Sequence, residues 1–349
     1  MPQAVRHVII LVITMVLGGC TADARSAPDS FAPLVKKVLP SVVNIAVTEA
    51  APNRDLLRDL PPELRDTPLG REFRRRFGDR QLRTMGAGSG FIIDPSGIIV
   101  TNNHVVGHAE KIVVALTNGH QYPAKLIGQD QLTDIAVIKV ETTEPLYAVT
   151  WGDSRRMEVG DWILAAGNPF GLGGSVAAGI ISAEGRDLGS GPFDNFLQLD
   201  APINPGNSGG PVFNMDGQVI GVSSVIVSPT GASVGIGFAI PSETVNPVVR
   251  QLLAKGTIER GWLGVSVEDQ DSAVLISEID KAGPAARAGV HAGDEVVAIN
   301  GETVISSRGL IRAVAQVTPG DSARLTVRRQ GQTMDFPVVV GLRPGAKEE

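Results

Sequence analysis

The sequence predicts a mainly β protein built as one large domain followed by a small one. Its 349 residues amount to about two domains at roughly 150 residues each. Glycine and proline supply 64 of them, well above the usual share of about 12%, so the chain turns often. Between the turns lie short β-branched runs: SVVNIAV (41–47), GFIID (90–94), GIIVT (97–101), KIVVALT (111–117), DIAVIKV (134–140), QVIGVSSVIV (218–227) and GIGFAI (235–240). Short strands separated by Gly, Pro, Asn and Asp are the pattern of an antiparallel barrel or sandwich.

Taken in order, the chain opens with Arg6 and His7 before a ten-residue run, 8–17, that is apolar but for Thr14. A membrane-spanning helix needs about 20, so residues 1–20 read as a signal peptide. It ends in Leu17-Gly18-Gly19-Cys20, which resembles the bacterial lipobox, whose cysteine is lipidated and becomes the new first residue. Ordinary secretory cleavage within Ala22-Asp23-Ala24 is the alternative and would discard Cys20. Either route puts the mature protein outside the cytoplasm, in the periplasm or cell envelope. Cys20 is the only cysteine, so no internal disulfide holds the fold and stability rests on packing.

Residues 29–39 predict a short helix capped by Ser30 and stopped by Pro40. The first domain then runs over 30–256, interrupted at 53–83 by a segment with nine arginines and six acids and no lasting period. That composition suits a solvated loop or a partner-docking arm. A helix over 246–255, with Asn246 as cap, Pro247 at its first position and Gly256 as its stop, closes the domain. The second domain, 261–345, repeats strand signals around helices at 284–289 and 306–317, with turns at Asn300-Gly301 and Pro319-Gly320.

A formal charge of -6 and a pI near 5.5 argue against a nucleic-acid partner, which calls for basic excess. The chemistry concentrates in Pro205-Gly206-Asn207-Ser208-Gly209-Gly210-Pro211. A serine becomes a nucleophile when a base takes its proton and fixed donors meet the oxyanion that forms. Glycines around Ser208 permit a tight turn that aims the amides of Gly206 and Ser208 into one space. A strand-connecting loop is the plain structural alternative. His104, after the strand GIIVT, is the candidate base, and Asp134, directly before an apolar strand, is the candidate carboxylate to orient it. An H-x-x-x-H metal site from His104 and His108 lacks both a helix-forming interval and the glutamate of H-E-x-x-H. The Gly-rich stretches at 86–90 and 167–174 lack the context of nucleotide loops, so no metal and no cofactor is implied. The order His, Asp, Ser is that of chymotrypsin-like proteases.

The segments TNNHVV, LTDIAVIKV, GNPFGLGGSVAAGIIS, DAPINPGNSGGPV, GIGFAIPS and RGWLGV resemble the HtrA/Deg family of secreted trypsin-like serine proteases with C-terminal PDZ domains, over residues 30–345. The resemblance implies a chymotrypsin-like double β-barrel followed by one α+β PDZ domain. It implies His104 as general base, Asp134 as its orienter, Ser208 as nucleophile, and the amides of Gly206, Asn207 and Ser208 as the oxyanion hole. It assigns 53–83 to the family's long LA loop. Six positions before the nucleophile stands Pro202 rather than an acid, so cleavage after small aliphatic residues is expected. The pocket walls would be Ser224, Val225, Ile226, Val227, Ser228, Gly235, Ile236, Gly237 and Phe238.

The stretch Trp262, Leu263, Gly264 and Val265 resembles the loop by which PDZ domains bind a peptide carboxylate. The resemblance further implies unfolded or damaged envelope proteins as substrates, C-terminal peptides as PDZ ligands, and a homotrimer or a multiple of it. Arg186 matches an arginine that relays the peptide signal, here expected to hold residues 202–207. The rival functions are a chaperone or binding module with weak proteolysis and a regulatory sheddase with one signalling substrate. For Cys20 the test is mass spectrometry of the mature N-terminus. A lipidated Cys20 in first position is expected, with membrane association lost in Cys20→Ala; an unmodified start at or beyond Thr21 refutes it. Because one acyl chain holds a protein only marginally, a multiply acylated cysteine is the expected form.

Overall fold

In the computed structural model of the protein, residues 28–49, 84–171, 173–204, 206–228, 233–271 and 273–344 are described. Cys20, the leader and the 53–83 insertion lie outside them. The chain forms two closed six-stranded antiparallel barrels and a PDZ domain. A short helix α1 (Ala32–Val38) comes first; its N-cap is Phe31, one residue after the expected Ser30, whose Oγ accepts from Ala32 N at 3.1 Å.

The first barrel contains β1 (Val42–Glu49), β2 (Thr84–Asp94), β3 (Ile98–Asn102), β4 (Ala109–Ala115), β5 (Gln121–Asp130) and β6 (Ile135–Val140), in the order β1-β2-β3-β6-β5-β4. Period-2 alternation sends Val43, Ile45, Ile99, Ala136 and Ile138 into its interior. Their neighbours Val42, Phe91, Val100, Ile135 and Val137 face a second core shared with the other barrel. A strand buried on both faces therefore reads as a continuous apolar run.

The second barrel contains β7 (Trp162–Gly167), β8 (Ser175–Arg186), β9 (Phe196–Leu199), β10 (Pro211–Phe213), β11 (Val219–Ile226) and β12 (Gly237–Pro241). Leu164, Phe213, Val222 and Phe238 meet the first barrel's residues in the shared core. Helix α3 (Ser242–Lys255) adds Val245, Val248, Val249 and Leu252 to it.

That helix starts four residues earlier than the sequence predicts, and Pro247 lies inside it. Its first turn is fixed by contacts distant in sequence. Ser242 Oγ donates to Gly152 O (2.8 Å) and accepts from Ser154 N (3.0 Å), while Glu243 N donates to Ser154 Oγ (3.2 Å). Gly256 ends the helix at φ 73, as expected of a C-terminal glycine.

The PDZ domain is a sheet β14 (Val265–Gln270), β15 (Ala273–Ile279), β16 (Glu295–Ile299), β18 (Ser322–Arg329) and β19 (Gln332–Val339), with β17 (Glu302–Thr303) beside β16. Strands β13 (Gly261–Trp262) and β20 (Gly341–Leu342) pair at its base. Helices α4 (Pro284–Arg287) and α5 (Ser307–Gln316) fall where the sequence predicts them, and Ser306 caps α5 by accepting from Gly309 N at 3.1 Å.

The two domains meet at Arg260, directly before β13. Its guanidinium grips Asp130 in a two-point bond of 2.7 and 2.6 Å and lies 4.6 Å over the Phe193 ring. Only 9% of the Arg260 side chain and 5% of Asp130 reach solvent. Removing one partner of such a buried pair costs about 3–5 kcal/mol, because the other charge stays buried, whereas replacing both with apolar groups is often neutral. Asp130→Leu should therefore lower stability by that amount in denaturant titration. The double variant Asp130→Leu/Arg260→Met should recover a large part of the loss.

Candidate active site

Strand register builds the first half of the site. Strands β3 and β6 run antiparallel with Asn102 opposite Ile135, so the residue before β6 and the residues after β3 emerge side by side. His104 lies in the short helix α2 (Asn103–Val106) that follows β3. Asp134 sits just before β6 at φ 55, a left-handed conformation that aspartate tolerates better than most residues. Its carbonyl accepts from Asn103 N (3.0 Å) and Asn102 Nδ2 (2.9 Å), which hold that turn.

The Asp134 carboxylate gathers three donors. Oδ1 accepts from His104 N at 2.9 Å; Oδ2 lies 2.7 Å from His104 Nδ1 and accepts from Ser224 Oγ at 3.0 Å. A carboxylate against Nδ1 keeps the ring proton there and leaves Nε2 as the acceptor. The imidazole is half exposed and Asp134 is 28% exposed. The pair therefore combines a partly shielded charge with an accessible ring edge.

Ser208 comes from the second barrel, between β9 and β10. Its Oγ donates to Ser224 O at 3.2 Å. Ser224 thus joins the two halves, its hydroxyl on Asp134 and its carbonyl on Ser208. The sequence had suggested it only as a pocket wall.

The turn before Ser208 is tight. Gly206 has φ 96, and Asn207 N donates back to Asn204 O at 3.0 Å. The Asn207 amide is thereby spent inside the turn, which corrects its expected place in the oxyanion hole. The amides of Gly206 and Ser208 find no acceptor among the described residues. Gly209, at φ 83, lies against the first barrel: a Cβ there would stand 2.3 Å from both Ser89 O and Thr101 Oγ1.

Beside these residues is a cleft of about 450 Å³ lined in part by His104, Asp134, Leu132, Phe193, Phe196 and Val225. Of the expected pocket residues, Val225 pairs with Phe238 and Ile226 with Gly237 across β11 and β12, and Val227 N extends the ladder to Ile236 O at 3.2 Å. Ser228 and Gly235 are half-buried at its open end. Pro202 is exposed, while Ile203 next to it packs beneath Gly237. Ile203 was missed in the sequence because no motif marks it.

In the PDZ domain a groove of about 130 Å³ runs between Val265 and Val267 of β14 and Leu310, Ile311 and Val314 of α5, with Trp262 and Leu263 also lining it. Gly264, at φ 75, turns the chain against Gly283 and does not line the groove.

Among the described residues, Arg186 makes no hydrogen bond or ion pair with 202–207. It lies opposite Phe196 at the end of β8, and its Nε donates to Gln198 Oε1 at 2.9 Å. The adjoining loop 187–195 is held instead by α5 of the PDZ domain. Arg308 meets Asp187, and Arg312 donates to Pro192 O (2.8 Å) and to Asp194 O.

Residues 88–222 match the model of a trypsin-like peptidase domain and residues 261–340 that of a PDZ domain. A protein of Brucella suis named a probable periplasmic serine endoprotease, DegP-like, is 41% identical over 91% of this chain and 69% of its own. The chain belongs to the HtrA/DegP-like family. A DegP-like relative from Pseudomonas savastanoi is 38% identical across 100% of this chain and 78% of its own. Among solved structures, the HtrA-type protease AlgW with a decapeptide superposes at TM-score 0.76 with 38% identity, covering 90% of this chain and 99% of that one. The serine endoprotease of Yersinia pestis gives 0.71 with 33% identity, covering 91% of this chain and 100% of that one. This HtrA protein is accordingly a serine endopeptidase with a PDZ domain.

The packing at Gly209 gives a test. Gly209→Ala adds a methyl group against backbone and forces a positive φ on alanine, so it should abolish peptide hydrolysis. Gly119→Ala has open space around it at a similar φ of 89 and should cost only about 1–2 kcal/mol in thermal unfolding, with activity intact.

Proposed function

We propose that this HtrA protease cleaves unfolded envelope proteins through His104, Asp134 and Ser208, and that it cuts after small aliphatic residues. The observation that carries the reading is the bonded chain Ser208–Ser224–Asp134–His104, which gathers a nucleophile, a base and its orienting carboxylate from both barrels.

Ser208 Oγ turns from Ser224 O toward His104 Nε2, which takes its proton as Oγ attacks the scissile carbonyl carbon. Asp134 keeps the Nδ1 proton in place and stabilises the imidazolium without taking that proton. The carbonyl oxygen becomes an oxyanion between the amides of Gly206 and Ser208. Their having no other acceptor among the described residues supports that role. Collapse of the tetrahedral intermediate breaks the C–N bond, and His104 gives its proton to the leaving amine. Water, activated by the same imidazole, then releases the acyl group from Ser208.

The specificity reading is supported by an apolar β11–β12 hairpin and by the neutral, exposed Pro202. The PDZ groove, apolar along both walls, suits a peptide C-terminus with apolar side chains added as a strand beside β14, and structures of AlgW hold a decapeptide or a tripeptide. The relatives are named periplasmic, which agrees with the leader and with Cys20 as an envelope anchor. A trimer or a multiple of it completes the proposal.

Ser208→Ala should reduce hydrolysis of unfolded casein by roughly 10⁶-fold without changing peptide affinity at the PDZ groove. Undiminished cleavage by a pure variant would refute the triad. In wild type, mapping the cut sites by mass spectrometry should give Val, Ala or Ile before the scissile bond; a preference for Lys or Arg would overturn the pocket assignment.

A further inference from the structure

We infer that Ser89, a residue of the first barrel, positions the peptide unit that joins the two oxyanion donors of the second. The inference rests on the proposed roles of Ser208 and of the Gly206 and Ser208 amides. Ser89 is fully buried in β2 and bonds to segments far from its own strand. Its Oγ donates to Gly206 O at 2.6 Å and accepts from Asn168 N at 2.8 Å. Its N–H donates to Ser208 O at 2.8 Å, and its carbonyl accepts from Thr101 Oγ1 at 2.7 Å.

The consequence lies in the peptide between Gly206 and Asn207. Its carbonyl is held by Ser89 Oγ and its N–H by Asn204 O at 3.0 Å, so it is clamped on opposite edges and cannot turn. The donors on either side of it, Gly206 N–H and Ser208 N–H, keep their mutual direction only while that plane is fixed. The Ser89 amide fixes the next carbonyl as well. Through Thr101, three residues before His104, the same serine is tied to the segment that carries the base.

A buried hydroxyl needs only one partner to be satisfied. This one spans the junction of the barrels, with its single proton committed to the nucleophile loop. Without the hydroxyl, Gly206 O and Asn168 N–H lose this partner and the 206–207 peptide is held on one edge only, by Asn207 N–H on Asn204 O. Oxyanion donors act as negative charge develops on the substrate, so the loss should appear in turnover and not in ground-state binding. Ser89 touches no substrate and is a positioning residue.

The test uses Ser89→Ala in the full chain with a peptide substrate cleaved after valine. The kcat should fall about 10–100-fold, less than the roughly 10²–10³-fold loss that follows outright removal of a donor, with KM nearly unchanged. A peptide aldehyde, which forms a tetrahedral adduct on Ser208, should bind more weakly by a similar factor. The matching peptide alcohol, which forms no adduct, should bind as to wild type. Unchanged kcat, or equal loss of aldehyde and alcohol affinity, overturns the inference. If Ser89→Ala does not fold, the near-isosteric Thr101→Val, which removes the bond to Ser89 O, decides: a smaller loss confined to kcat is expected, and unchanged kcat refutes the idea. Ser208→Ala separates the two claims, since a variant that still cleaves defeats the proposed function, whereas an inert Ser208→Ala beside a fully active Ser89→Ala defeats only the role of Ser89.

Discussion

The seating of one barrel on the other is the constraint on which the rest of this structure depends. The proposed catalytic residues are divided between the barrels, His104 and Asp134 in the first and Ser208, with Ser224, in the second. What holds them in register is a shared apolar core of Val42, Phe91, Val100, Phe213 and Val222, with α3 packed against it. Apolar burial is non-directional, so it brings the barrels together without fixing them to the precision that proton transfer requires. Directional bonds supply the remainder: Ser224 Oγ to Asp134, Ser89 N to Ser208 O, and Asn44 Nδ2 to Asn168 O at 2.9 Å.

The attachment of the PDZ domain is of a different kind. Its contacts with the protease are cationic side chains on acceptors and on a ring: Arg260 on Asp130 and Phe193, Arg308 on Asp187, and Arg312 on two carbonyls of loop 187–195. Between them remains a crevice of about 780 Å³ lined by α3 and α5. Polar, loosely packed domain contacts favour relative movement. Helix α5 forms one wall of the proposed peptide groove and also carries Arg308 and Arg312, so a shift of that helix cannot leave loop 187–195, which borders the cleft beside His104 and Asp134, undisturbed.

Much of this was legible in the sequence where a local rule acts alone. Short β-branched runs marked β1, β3, β6 and β11; Gly256 marked a helix end; and the proposed triad residues stood out because they sit beside strand ends and in a glycine-rich turn. What escaped depended on partners distant in the chain. Helix α3 begins at Ser242 because residues 152–154 satisfy its first turn, which no local pattern predicts. Pro202 was expected among the pocket residues, but it is exposed and the neighbour that fills the space under Gly237 is Ile203. Arg186 was expected to reach the nucleophile loop, yet its place opposite Phe196 turns it to Gln198. Ser89 was invisible as anything but part of a strand, since a buried hydroxyl declares its partners only in three dimensions.

The glycines after Ser208 bear on why such a motif can be read at all. Gly209 and Gly210 are pressed against backbone atoms of other segments, Ser89 O on the first barrel and Ala166 O on β7, where a Cβ would stand at 2.3 and 2.1 Å. They are there for want of volume more than for freedom of φ. The run Gly206-Asn207-Ser208-Gly209-Gly210 is in this sense a cast: the second half of the chain carries, written in missing side chains, the relief of the surface on which it rests. A motif in one dimension is thus also a record of how closely separate walls approach in three.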